Sequence, residues 1–372
     1  MAKSKVYFSD LRTKDGEGLL EKLQRMIKRA GIGDIDFENH YVAIKMHFGE
    51  PGNLAFLRPN YAKAVADVVK ELGGKPFLTD CNTLYVGGRK NALDHLDSAY
   101  MNGFVPYATG CQVLIADGLK GTDEALVPVD GGEYVKEAKI GRAVMDADIF
   151  ISLTHFKGHE ATGFGGTLKN IGMGCGSRAG KMEMHSAGKP HVKQEDCIGC
   201  GRCSRICAHS AAVVTDKKAS IDHNKCVGCG RCIGVCPKDA VKPASDESND
   251  ILNCKIAEYT KAVINGRPNF HISLVIDVSP YCDCHSENDA AIVPNVGMFA
   301  SFDPVALDVA CADAVNAQPA IRNSMLGDAL AEHEEEVDHF HAVSPDTNWR
   351  SAIAHAVKIG IGSAEYELIV VK

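Results

Sequence analysis

Eight cysteines crowd into residues 197–236, and their spacing specifies a chemistry. The first run is Cys197-x2-Cys200-x2-Cys203-x3-Cys207. The second, Cys226-x2-Cys229-x2-Cys232-x3-Cys236, repeats it at an offset of 29 residues. In a C-x2-C-x2-C-x3-C run, three closely spaced thiolates wrap one cubane iron–sulfur cluster. The fourth cysteine, a helical turn further on, ligates the other cluster of the pair. One 4Fe–4S cluster is therefore expected on Cys197, Cys200, Cys203 and Cys236, and a second on Cys226, Cys229, Cys232 and Cys207. Glycines at 199, 201, 228 and 230 let backbone N–H groups approach cluster sulfur. Zinc is the alternative occupant, but its sites seldom use four cysteines in one run, twice, at a regular period. Pro237 follows the last cysteine of the second run, whereas Ala208 follows Cys207. That changes loop stiffness and keeps the ligand.

The remaining seven of the fifteen cysteines lie elsewhere. Cys282-Asp-Cys284 is the sharpest feature among them, because two thiolates two residues apart can share one soft metal. His285 is adjacent, and Cys175 is a candidate third thiolate. These three cysteines make a candidate third metal or iron–sulfur centre; the plain alternative is reduced structural cysteines near a loop. Cys81 ends a strand, while Cys111, Cys254 and Cys311 read as ordinary core residues.

Several polar groups follow apolar, strand-like runs. Lys45, His47 and Glu50 follow one, Asp80 and Asn82 another, and His155, Lys157 and His159 a third. In open parallel sheets ligands bind beyond the carboxyl ends of strands, so a common pocket is expected. His47, Glu50, His155 and Lys169 are the candidate catalytic groups, moving protons or holding an anionic substrate. Each has a structural alternative. Lys45 could bridge to Asp80, His47 could be a satisfied half-buried histidine, and His155 and His159 could be a loop pair. Lys169-Asn170 could cap or line a helix. The Gly163-x-Gly-Gly stretch lacks the Lys-Ser/Thr of a P-loop, yet could present backbone N–H groups to an anion. The stretch from Glu332 to His341 reads as a solvated helix face, with His341 near enough to reach the pocket.

These residues need elements to position them, and the pattern is strand–helix alternation. Strands are expected at 6–9, 41–48, 76–79, 113–116, 149–154, 271–278 and 366–371. Helices are expected at 18–30, 61–72, 91–102, 254–264, 304–315 and 349–357, with a hairpin or small excursion over 117–140. Strands separated by helices of 10–15 residues imply βαβ units and a mainly parallel α/β sheet with flanking helices. Composition shifts at 172–193 towards Gly, Met, Lys and His, and the polar run 245–250 closes the cysteine module. The module thus reads as a small α+β two-cluster insert (189–246) between two segments of one α/β domain (1–188 and 247–372). Within it, Val213–Val214 and Ala219–Ile221 read as a hairpin.

Charge and hydropathy exclude some classes. The net charge of −8 comes without basic runs, which argues against a nucleic-acid partner. No apolar run approaches the roughly 20 residues that span a bilayer, and the start has no secretory pattern. A cytoplasmic protein is expected, where disulfides are rare and clustered cysteines serve metals or redox chemistry. No G-x-G-x-x-G sits between a strand and a helix to mark a flavin or nicotinamide site.

The chain resembles the iron–sulfur centre proteins of the domain-of-unknown-function 362 family, with a bacterial-type two-cluster ferredoxin insert. The resemblance rests on Ile44-Lys45-Met-His47-Phe-Gly49-Glu50-Pro51-Gly52-Asn53 and on Thr79-Asp80-Cys-Asn82-Thr83 with Gly87 and Arg89. It rests further on Thr154-His155-Phe-Lys157-Gly158-His159, Gly163-Phe-Gly-Gly-Thr-Leu-Lys169-Asn170, Cys282-Asp-Cys284 and Asp303-Pro304-Val305-Ala306. It implies the architecture and the clusters and leaves the reaction unassigned. The function expected is iron–sulfur electron transfer. The leading form is an oxidoreductase whose module exchanges electrons with an unknown small substrate or metal site at the strand ends. The alternatives are a non-enzymatic carrier or adaptor docking a redox partner, such as a ferredoxin-type donor or acceptor, and a cluster-assembly protein.

Overall fold

The computed structural model describes residues 3–84, 87–185, 189–207, 209–226, 231–243, 248–331 and 338–372. Eight strands form the central sheet: β1 (Ser4–Asp10), β2 (Tyr41–Lys45), β3 (Lys75–Asp80), β4 (Gln112–Ile115), β5 (Ile149–His155), β6 (Asn269–Val275), β7 (Gly297–Ser301) and β8 (Tyr366–Val370). Their order is β8-β1-β7-β6-β5-β2-β3-β4. Strand β7 is antiparallel to both neighbours and every other pairing is parallel. All strands but β7 therefore share one direction, as the strand–helix alternation predicts.

Successive side chains on a strand point to opposite faces. Val42 and Ile44 pack on one face, against α1 (Leu19–Arg29) and α2 (Pro59–Glu71). Helix α1 offers Leu23, Met26 and Ile27 at helical spacing, which is the apolar stripe such a layer needs. Ala43 and Phe150 pack on the other face. There lie α3 (Thr167–Cys175), α4 (Arg178–His185), α5 (Asn249–Ile264), α6 (Pro304–Asn316) and α7 (Trp349–Lys358). Asp303 caps α6, accepting from the N–H groups of Val305 at 2.9 Å and Ala306 at 3.0 Å. Pro304 follows at the first helical position, where its missing N–H costs nothing.

The chain winds from β2 outward through β3 to β4, then returns to place β5 and β6 on the opposite side of β2. The reversal between β2 and β5 is a topological switch point, where an open parallel sheet leaves a crevice at its carboxyl edge. The loops after β2, β3, β5 and β6 all empty there.

Between α4 and α5 the chain forms a smaller unit. Pro190–Val192 pairs antiparallel with Val241–Pro243, and Ala212–Thr215 with Lys218–Ile221. Two short helices, Arg202–Ile206 and Arg231–Gly234, complete it. The hairpin expected at 213–221 is present. Leu84 and Met182 of the main body join this unit's apolar cluster, and Lys90 pairs with Asp239 across the junction.

The structure differs from the sequence reading in several places. The strand expected over 41–48 ends at Lys45, although Met46 and Phe48 remain buried. The continuous apolar alternation does not reveal where the ladder stops. Strand β7 escapes notice because its short run is preceded by a loop rich in polar residues. Lys157–His159 and Gly163–Gly165 form a small hairpin, not an open loop. The excursion at 117–140 is a hairpin of Glu124–Pro128 with Glu137–Gly141. The stretch read as a compositional shift from residue 172 contains the end of α3 and all of α4. Residues 332–337 lie outside the described residues. His341 sits in a short helix, His339–Val343, and does not line the cavity described below.

Helix α3 carries Lys169 and Asn170, and its height over the sheet depends on Gly172. A Cβ there would meet the carbonyl oxygen of Ile256 at 2.1 Å, so α3 and α5 touch backbone to backbone. Gly172→Ala should therefore cost about 1–3 kcal/mol by overpacking. Gly33→Ala, whose Cβ would meet only Leu72 Cδ2 at 4.0 Å, should stay within about 0.5 kcal/mol of wild type. Denaturant midpoints of the two variants check this, and equal midpoints would refute the close-contact argument.

Candidate functional site

A cavity of about 650 Å³ opens at the carboxyl edge of the sheet. Its floor is charge buried in compensated pairs. Lys45, the last residue of β2, reaches Asp80, the last of β3, at 3.0 Å. Lys45 also donates to Asn170 Oδ1 at 2.9 Å, and Asn170 donates to Thr154 Oγ1 at 3.0 Å. Helix α3 is thereby tied to the ends of β2 and β5. Burial raises the Asp80 carboxyl, but its electrostatic surroundings, led by the Lys45 charge, outweigh it and hold the group well below the ordinary carboxylate range. The bridge between Lys45 and Asp80 that stood as the structural alternative is present, and both residues still line the cavity.

Of the four candidate catalytic groups, His47 and Lys169 line the cavity and Glu50 and His155 do not. His47 Nδ1 accepts from Gly49 N–H at 3.0 Å, and Arg89 Nη1 lies 2.8 Å from Nε2. Burial first, then the Arg89 charge, pushes its pKa well below the usual value, which favours the uncharged ring. Glu50 is held by Arg89 Nε at 2.7 Å and by Gly88 N–H, and serves to fix Arg89. His155 is locked on both sides, with Nδ1 2.8 Å from Asp283 Oδ1 and Nε2 2.8 Å from the carbonyl oxygen of Ile276. It supports the loop that carries Asp283.

That loop presents the C-x-C pair. Asp283 is fully buried, with Lys157 Nζ 3.1 Å from Oδ2. Burial alone would raise its carboxyl, and the opposing charges of His155 and Lys157 bring it well below the carboxylate range. The flanking Cys282 and Cys284 face the cavity. Cys284 donates a hydrogen bond to Cys282, which lowers the Cys282 thiol well below its usual range. Burial opposes this, while Lys169, Lys157 and His159 support it. Lys169 Nζ lies 3.4 Å from Cys282 Sγ. The Cys284 thiol is correspondingly raised by the hydrogen bond it donates. The loop after β2 clasps this segment: Glu50 N–H donates to the carbonyl of Asp283 at 2.9 Å, and Asn53 Nδ2 to that of His285 at 3.0 Å.

Cys175, the third thiolate considered, is placed differently. It is buried in the core cluster with Cys81, whose Sγ lies 3.3 Å from the Cys175 carbonyl oxygen. Burial raises its thiol to about 11, and it does not line the cavity. Among the described residues, the group whose ligand atoms come within 4.8 Å of one another is instead Glu160, Cys284 and His285. Glu160 was missed, as were Lys181 and His185 of α4, which also line the cavity. The i, i+4 spacing of the last two was legible, but α4 was not recognised as a helix.

The small unit closes one side of the cavity with His191, Asp239, Val241 and Lys242. Behind that wall is a void of about 20 Å³ whose lining includes Cys197, Cys200, Cys203 and Cys236, and Val241 borders it too. Backbone N–H groups already point at sulfur. Ala219 donates to Cys197 Sγ at 3.3 Å, Ala240 to Cys236 Sγ at 3.2 Å, and Ala211 to Cys207 Sγ at 3.3 Å. Gly199 has φ +66, and a Cβ there would meet the carbonyl of Lys217 at 2.3 Å, so only glycine allows this close turn. Such N–H···S bonds are among the levers that tune cluster thiolates, and the donor set fits an iron–sulfur cofactor. Cys226 and Cys232 lie in the same unit, while Cys229 and Ala208 lie outside the described residues.

Fold and site define a mixed α/β protein with a largely parallel sheet and cysteine-rich sites of metal-binding character. The chain belongs to the DUF362 family, described as a domain of unknown function, whose model matches residues 42–313. It is 27% identical over 167 residues to the thylakoid-associated protein sll1697 of Synechocystis, matching 42% of this chain and 46% of that one. The chain thus spans about half the length of this curated relative. Among solved structures it is similar to the lactate racemase apoprotein of Thermoanaerobacterium thermosaccharolyticum, with TM-score 0.35 and 11% identity over 74% of this chain and 51% of that one. A Thermotoga maritima protein gives TM-score 0.41 and 13% identity over 80% and 58%. Among the described residues no helix is long and apolar enough to cross a membrane.

Two outcomes follow from this geometry. Lys45→Met leaves the buried Asp80 with only the longer contacts to Arg89 Nη1 at 3.9 Å and His95 Nε2 at 3.8 Å, and should cost about 3 kcal/mol, the low end for a broken buried pair. Lys45→Met with Asp80→Leu should recover most of that loss in the same denaturation assay. In protein stripped of divalent metal, alkylation of Cys282 should already be independent of pH near neutrality, because the thiolate is the nucleophile. Lys169→Met should move the rise of that profile to higher pH. Peptide mapping against Cys111, whose thiol burial pushes up to about 11, reads the difference; identical profiles for the two thiols would refute it.

Proposed function

We propose that this protein is an iron–sulfur electron-transfer protein, acting as an oxidoreductase on a small anionic substrate in the strand-end cavity. In this reading residues 189–246 are a ferredoxin-like insert between two segments of one α/β domain. Cys197, Cys200, Cys203 and Cys236 would hold one 4Fe–4S cluster, and Cys207, Cys226, Cys229 and Cys232 a second. The observation that carries it is Val241, one side chain that borders both the four-cysteine void and the large cavity. Such clusters, when bound, supply reversible one-electron transfer at potentials set by charge, hydrogen bonds and exposure.

The chain's own residues supply the rest. Lys157 and Lys169 line the cavity beside Cys282, one held by Asp283 and the other facing the Cys282 sulfur, and their ammonium N–H groups are donors for an anionic group. His47 and Arg89 stand side by side at the cavity wall, a polar pair that an anionic ligand would meet. Asp283 and His155 keep the C-x-C loop rigid. Thiolates of this kind persist in a reducing compartment, so we place the protein in the cytoplasm.

A second reading, a non-enzymatic carrier, is favoured by one observation. Cys200 is exposed and Ile198 is 56% exposed, so the outer edge of the first cysteine set could meet a ferredoxin-type donor or acceptor directly.

Anaerobically purified protein should contain about eight irons and eight sulfides per chain. Cys236→Ser and Cys207→Ser should each lose about half of the iron and half of the reduced paramagnetic signal. Zinc without sulfide would sink the reading. Intact clusters with no change in potential when small anions are added would leave the carrier form in its place.

A further inference from the structure

We propose that Glu160, Cys284 and His285 form a divalent-metal site of zinc type, with its free coordination position facing the cavity. The proposal rests on the reading above only for the use of that cavity; the ligand set stands on its own geometry.

The three residues come from two loops that the fold brings together. Glu160 follows the strand Lys157–His159 beyond β5, and Cys284 and His285 lie in the loop beyond β6. Each brings one ligand atom to within 4.8 Å of the others. His285 Nε2 and Glu160 Oε1 are 3.0 Å apart, close to the edge of a tetrahedron whose centre lies about 2 Å from both atoms. One thiolate, one imidazole and one carboxylate suit zinc or ferrous iron better than a hard ion such as magnesium. Three protein ligands, with a fourth position left to water or substrate, are the pattern of catalytic rather than structural zinc sites.

The surroundings support the ligands. The backbone carbonyl of His285 accepts from Asn53 at 3.0 Å, and the N–H of His285 donates to the Cys282 carbonyl at 3.0 Å. The loop is therefore held before any ion arrives. Cys282 stays outside the three-ligand group and is occupied by Lys169 at 3.4 Å, which makes it an outer-shell neighbour of Cys284. All three ligands line the cavity. A small anion, such as a carboxylate, could take the fourth position with Lys169, which lines the same cavity, donating to it.

The test uses the full chain with its iron and sulfide content measured in the same sample. Equilibrium dialysis against Zn2+ should give one zinc per chain beyond the iron. Zinc-edge X-ray absorption should show one sulfur and the remaining ligands nitrogen or oxygen. Cys284→Ser and Glu160→Gln should each weaken binding by more than the roughly 10–100-fold that follows loss of an outer-shell partner. Cys282→Ser should fall within that smaller range, and Cys254→Ser should bind as wild type. Unchanged visible absorption and far-ultraviolet dichroism identify folded variants. No zinc at micromolar concentration, or a Cys282–Cys284 disulfide in its place, would overturn the proposal. So would loss of zinc in Cys282→Ser with retention in Cys284→Ser. Zinc bound at Cys284 in a chain lacking sulfide would defeat the iron–sulfur reading and leave this site standing. Clusters without the extra zinc would do the reverse.

Discussion

Three buried ion pairs at one edge of the sheet hold the loops that form the site, and the rest of the arrangement depends on them. Lys45 with Asp80, Arg89 with Glu50, and Lys157 with Asp283 are all nearly inaccessible to water. Removing an ion from water costs several kcal/mol, which a partner offsets only in good geometry. Each pair therefore fixes two loops at once. Lys45 joins β2 to β3, Arg89 joins the loop after β3 to the loop after β2, and Lys157 joins the loop after β5 to the loop after β6. The cavity is the space these pairs cannot fill.

The same pairs bear on what was legible in the sequence. Strand–helix alternation reads directly from apolar periodicity, because α1, α2 and the parallel strands bury continuous stripes. Strand ends are visible as polar residues following apolar runs, so Lys45, Asp80, His155 and Lys157 were found. Which of them face the cavity was not legible, since that depends on partners distant in sequence. His155 and Glu50 look like acid–base groups, but Asp283 is 128 residues from the first and Arg89 is 39 from the second. Glu160 carried no signal, because its metal-site neighbours lie more than a hundred residues away. Cys175 was grouped with Cys282 and Cys284 by residue type, and its helix turns it into the core instead.

The cysteine module was the easiest feature to read and remains the most informative. Its cysteines lie close in sequence, so their spacing alone suggests which of them converge. Cys236 of the second run borders the same void as Cys197, Cys200 and Cys203 of the first, a proximity that neither run reveals separately. The placement of that void behind Val241 depends on where the module docks. The docking uses Leu84 and Met182 in the module's own apolar cluster, and apolar contacts of this kind have no sequence signature.

The tripeptide Cys282-Asp283-Cys284 joins these themes. Two thiols beside a cavity would be a floppy and oxidisable pair on a free loop. Asp283 prevents this by turning inward to His155 and Lys157, while the flanking sulfurs remain on the cavity side. The buried pair that anchors the loop also makes the two thiols inequivalent. Cys282 faces Lys169 and takes the role of thiolate, and Cys284 donates to it and lies beside Glu160 and His285. An aspartate between two cysteines is thus part of the site's construction, because a neutral residue there would remove the charge that holds His155 and Lys157 in place. The protein fixes its chemistry by burying a charge where no reaction occurs.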